Sequence, residues 1–85
     1  MPYIKKEQKE LILNEYNIDL AFISNPGNLN FAFTMIIKNY IETQSLSYQA
    51  INDVLGALEG AKLEFYRRVV IPYEEEKIIR NGDVY

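Results

Sequence analysis

Apolar positions recur along most of this chain at the three- and four-residue spacing of a helix, and the recurrence is broken at only a few places. From 29 to 43 the residues Leu29, Phe33, Ile36, Ile37, Tyr40 and Ile41 form one stripe, with Phe31 and Met35 lying off it. From Ser47 to Ile71 a first face carries Ile51, Val54, Leu55, Leu58, Ala61, Phe65 and Val69, while Leu63, Tyr66, Val70 and Tyr73 make a second face. The opening segment, roughly 5–24, is helical but broad, with Ile4, Leu11, Ile18 and Phe22 on one side and Leu13, Tyr16, Leu20 and Ile23 beside them. Asn17 and Asp19 weaken that segment, so a break there fits the pattern. No stretch alternates apolar and polar residues for long enough to build a sheet.

The punctuation agrees with this reading. Asn25-Pro26-Gly27-Asn28 predicts a turn, in which Pro26 restricts Asn25, Gly27 is free to take positive φ, and Asn28 caps the next helix. Ser47 is the expected N-cap of the third helix, with Ser45 as the competing choice. Pro72 interrupts the last helical run, and the expectation is a kink or a fresh short helix over 72–80, with Glu74, Glu75 and Glu76 at its dipole-favoured start. Lys77 and Arg80 suit its end, and Asn81-Gly82 closes it. The fold expected is all-α, a single domain over 1–85: a small helical hairpin or three-helix unit (5–24, 29–43, 47–71) whose long C-terminal helix is kinked or broken at Pro72.

Length turns this pattern into a question of stability. A chain of 85 residues without a single cysteine has a small core and no disulfide to supplement it, so self-association is the remaining staple. Two apolar faces on one helix exceed what two other helices need to cover, although helices 1 and 2 covering both is the simpler alternative. Gly56 and Gly60, four apart, let another backbone approach closely, and with Leu63 and Val70 they form the expected oligomer interface.

Composition then removes chemistry. There is no histidine and no cysteine, so thiolate and imidazole metal sites and the usual neutral-pH general base are absent. Glu74-Glu75-Glu76 point about 100° apart on a helix and do not converge on one ion. No catalytic residue, metal site or cofactor is expected, and the protein is read as a non-enzyme. A net charge of −3 disfavours nucleic acid and anionic membranes as partners. No run is apolar and long enough to span a bilayer, the N-terminus does not read as a signal peptide, and a cytoplasmic location is the default expectation.

One constellation has recognition character. Lys62, Tyr66, Arg67, Arg68 and Tyr73, joined in some arrangements by Lys77 and Arg80, combine guanidinium forks that match phosphates with rings that stack on bases. A cleft built from two copies of this stretch would suit a cyclic nucleotide or an ADP-ribose-type ligand. The competing account is local pairing, Lys62 with Glu59 and both arginines with Glu64.

The opening Met1-Pro2-Tyr3-Ile4, the Asn25–Asn30 turn, the run from Ser47 to Asp53, and above all Ala61-Lys62-Leu63-Glu64-Phe65-Tyr66-Arg67-Arg68-Val69-Val70 with Pro72-Tyr73-Glu74 and Asn81-Gly82-Asp83-Val84-Tyr85 resemble a family of small uncharacterised proteins from tailed phages and prophages. The resemblance covers nearly the whole chain and implies an origin rather than a mechanism. A looser likeness of size and layout, a short helix followed by a helical hairpin with a long last helix, is to the phage anti-CBASS sponges that sequester cyclic nucleotides. No sponge-site residue can be matched. The function expected is a non-catalytic, oligomeric phage or prophage accessory protein with a counter-defence role, sequestering a host immune nucleotide signal or binding a host defence protein in the cytoplasm of the infected or lysogenic bacterium. The alternatives are a structural or assembly accessory of the virion and a small regulatory protein.

Overall fold

The computed structural model describes residues 4–15 and 23–85. It is a small all-α protein with a long C-terminal helix, and no strand occurs among the described residues. In chain order the elements are α1 (Lys6–Glu15), α2 (Pro26–Gln44), α3 (Tyr48–Phe65), a π-helical segment (Tyr66–Val70) and α4 (Ile71–Asn81). The chain divides into two units, Met1–Ser45 and Leu46–Tyr85.

In the first unit, the described part of the helix expected over 5–24 is α1, Lys6–Glu15. The break anticipated at Asn17 and Asp19 falls outside the described residues, and Ile23 and Ser24 are not helical. Its start is half of a capping box: the Lys5 N–H donates to Gln8 Oε1 at 3.3 Å, while lysine itself offers no oxygen in return. Helix α2 begins three residues earlier than its apolar stripe indicated. Its N-cap is Asn25, not Asn28, because the Asn25 carboxamide oxygen accepts from the Asn28 N–H at 2.8 Å and Pro26, which has no N–H to satisfy, fits the first helical position. Gly27 is not at positive φ either. A Cβ there would stand 3.3 Å from the capping Asn25 Oδ1, so the glycine leaves room for the cap.

Helix α2 ends at Ser45, whose N–H donates to the Ile41 carbonyl at 2.9 Å with φ 68 and ψ 145, the one non-glycine positive φ among the described residues. Of the stripe expected on this helix, Ile37, Tyr40 and Ile41 are half-buried, whereas Leu29, Phe33 and Ile36 are exposed.

The second unit is one uninterrupted helical run from Tyr48 to Asn81. Ser47 is its N-cap, as expected, with Oγ accepting from the Ala50 N–H at 3.0 Å. Pro72 would set its ring against the Arg68 carbonyl in a continuous α-helix. The helix answers one turn earlier: it widens over Tyr66–Val70, and the Ile71 N–H reaches back five residues to the Tyr66 carbonyl. Backbone angles are helical at both ends of the segment, at Phe65 (φ −59, ψ −45), Val70 (φ −69, ψ −49) and Ile71 (φ −59, ψ −50). The interruption at Pro72 is therefore an extra residue in the turn before it. Since the helix does not restart, Glu74–Glu76 meet no open N-terminus, and the dipole account of that cluster loses its premise. Gly82 closes the run at φ 86, its N–H donating to the Ile78 carbonyl at 2.8 Å.

Candidate binding surface

The residues with recognition chemistry lie on the last turns of α3, the π segment and α4. A single helix spreads them around its axis: Lys62 and Arg67, five positions apart, project about 140° from each other. The structure holds them as separate local pairs. Lys62 Nζ is 3.7 Å from Glu59 Oε1, with both side chains mostly exposed. Glu64 gathers both arginines, accepting from the Arg67 guanidinium at 2.8 and 3.1 Å and from Arg68 Nε at 3.1 Å. One carboxylate between two guanidiniums leaves one unit of positive charge at this turn. Further along, Arg80 pairs with Glu76 at 2.7 Å, and the Lys77 ammonium stands 5.4 Å from the centre of the Tyr73 ring, a cation–π contact.

Of the five residues expected to bind a ligand, Arg67 and Arg68 are thus brought together by Glu64, Lys62 is joined to Glu59, Tyr73 is joined to Lys77, and Tyr66 heads the π segment with about half its surface exposed. The local pairing foreseen for Lys62, Arg67 and Arg68 is present in full. Exposed pairs at this spacing contribute only a few tenths of a kcal/mol each, so a ligand or partner could displace them at small cost. The widened turn was not foreseen, although a proline inside a helical run is its signal.

The four residues assigned to an oligomer interface differ in their surroundings. At Gly56 an added Cβ would meet nothing within 4 Å. Gly60 and Val70 are half-buried, and Leu63 is exposed. Ala50, at 3%, is the one buried residue among those described. Leu55, Leu58, Leu63, Phe65, Val69 and Tyr73 each leave 40% or more of their surface open. Full burial of side chains of this size is worth roughly 1.5–3 kcal/mol apiece.

No group of three His, Cys, Asp or Glu residues able to hold a metal ion occurs among the described residues. Among the same residues no helix is long and apolar enough to cross a membrane. The model of a family described as Domain of unknown function (DUF6899) matches residues 1–84. The chain belongs to that family. No curated protein and no solved structure matches this DUF6899 chain.

Proposed function

We propose that this DUF6899 protein is non-catalytic and acts by association, assembling with copies of itself through the long C-terminal helix and using the remaining helix surface to hold a target. The observation that carries the reading is the exposure of Leu55, Leu58, Leu63, Phe65, Val69 and Tyr73 along one helix while Ala50 alone is buried among the described residues. The resemblance of its C-terminal stretch to small proteins of tailed phages supports a counter-defence role, binding a host defence protein in the cytoplasm of an infected or lysogenic bacterium. A protein target is favoured over capture of a cyclic nucleotide or ADP-ribose-type signal, because Arg67 and Arg68 share Glu64 and offer one net positive charge where a multiply charged ligand calls for more.

Light scattering on the full chain across micromolar concentrations tests the association, which predicts a mass above 9.9 kDa. A monomer throughout would end the reading. Calorimetric titration with cyclic nucleotides and ADP-ribose is expected to give flat heats, and a saturable heat would move the target from protein to nucleotide. Expression in a defended host is expected to restore plating of a sensitive phage, and unchanged plating across defence systems would refute the counter-defence role.

A further inference from the structure

Ile51, Val54, Leu58, Ala61 and Phe65 follow one another at steps of three, four, three and four, and Val69 and Tyr73 then follow at two steps of four. At about 100° per residue the first five stay within a band about 80° wide, because the overshoot of each four-residue step is taken back by a step of three. Two steps of four in succession would carry Val69 and Tyr73 about 40° and 80° past Phe65 in an α-helix. The π segment, Tyr66–Val70, lies across those two steps, and the extra residue in its turn takes that overshoot back. The seam therefore runs straight from Ile51 to Tyr73, over about 33 Å of helix. Leu63, two residues before Phe65, stands about 160° away from it on the opposite side.

This seam matches itself on reversal. Measured along the axis from a point between Ala61 and Lys62, Leu58 and Phe65 both stand about 5 Å out, Val54 and Val69 about 11 Å, and Ile51 and Tyr73 about 16 and 17 Å. Ala61, the smallest side chain of the row, sits at the middle. Ile51, Leu58, Phe65, Val69 and Tyr73 leave 38%, 40%, 58%, 53% and 59% of their surface open. With Leu55 on the flank, six side chains of about 200 Å², each about half uncovered, offer roughly 600 Å² per copy, of the order of the ~800 Å² that each partner gives to a stable interface.

We propose that this seam is the face on which a second copy lies antiparallel, about a two-fold axis beside Ala61. Ile51 then packs on the partner's Tyr73, Val54 on the partner's Val69 and Leu58 on the partner's Phe65, while the two Ala61 side chains meet at the axis. The layers widen equally on either side of that narrow centre. A parallel pair would set Phe65 and Tyr73 on themselves at one end and Leu58 and Ile51 on themselves at the other, spreading the helices toward their C-termini. Lys62 flanks the seam beside the axis, and Glu59, 3.7 Å from its ammonium, draws it to the side away from the seam. This inference rests on the association proposed above and adds its face, orientation and register; the π segment is what keeps Val69 and Tyr73 on that face.

The chain has no cysteine, so introduced cysteines report the register directly. In the full chain, treated with a short bis-maleimide, the double variant Ile51→Cys with Tyr73→Cys is expected to form linked dimers. Either single variant is expected to form none, its two copies standing at least about 30 Å apart. Val69→Lys should weaken dimerisation at least about tenfold by burying a charge without a partner, whereas Leu63→Lys, on the opposite side, should leave it within about twofold. Circular dichroism on each variant separates lost docking from lost helix. If the unaltered chain associates but a single cysteine links to itself, or the double variant does not link, or helical Val69→Lys dimerises as before, the face or its register is wrong while the association stands. If the unaltered chain is a monomer, the association itself falls.

Discussion

Ser45 is the residue whose replacement tests the local energetics most cleanly. At φ 68 and ψ 145 it lies outside the left-handed helical region that non-glycine residues visit and next to the region that glycine nearly monopolises. Conformations of that kind cost roughly 1–3 kcal/mol for a residue with a Cβ. The bond that holds the position, Ser45 N–H to the Ile41 carbonyl at 2.9 Å, belongs to the backbone and survives any substitution but proline. Ser45→Gly therefore removes the strain and keeps the bond, while giving back up to about 1 kcal/mol because glycine has more freedom to lose on folding. The net expectation is a gain of about 1 kcal/mol, or a rise of about 4–8 °C in melting temperature for a domain of this size. Thermal unfolding followed by circular dichroism at one fixed protein concentration measures it, since association shifts the midpoint. Ser45→Ala, which keeps the Cβ, is the control and should stay within about 0.5 kcal/mol of the natural chain. A melting temperature that falls on Ser45→Gly, or rises equally with Ser45→Ala, would refute the argument from strain.

Three further outcomes follow from the same helices. Ser47→Ala removes the oxygen that accepts from the Ala50 N–H and should cost about 1 kcal/mol in urea unfolding, with Ser47→Asp recovering most of it. Gly56→Ala should add up to about 1 kcal/mol of helix stability, because nothing in the chain lies within 4 Å of the new methyl; if light scattering instead shows that it abolishes association, Gly56 lies against a partner. Pro72→Ala restores an N–H and removes the ring that opposes the Arg68 carbonyl, so NMR carbon shifts over 66–70 should move to α-helical values with a slowly exchanging amide at 72. Unchanged shifts would mean that the wide turn has another cause.

Much of this architecture was legible from spacing alone. Ser47, Gly82 and the all-helical pattern depend on interactions within a few residues, and those are written in the local sequence. The ion pairs of Lys62, Arg67 and Arg68 were legible for the same reason, being three or four positions from their carboxylates. The start of α2 was misplaced because Asn25 and Asn28 are equally good capping residues, and Pro26, best suited to a first helical turn, decides between them. Gly27 was misread because glycine answers two needs, positive φ and empty space, and only the position of Asn25 Oδ1 tells which applies. The form of the interruption before Pro72 was beyond pattern reading, since a kink, a restart and a widened turn all remedy the same missing donor. Whether Leu63 and Val70 share a surface depends on that remedy, because each extra residue in a turn rotates everything after it.

The run from Tyr48 to Asn81 has a consequence of scale. At about 1.5 Å per residue it is a rod some 50 Å long. A guest the size of a nucleotide touches only a couple of adjacent turns of such a rod, so nothing small can sense Ser47 and Gly82 together. Any event that couples the two tips must be made by something of macromolecular length, laid along it.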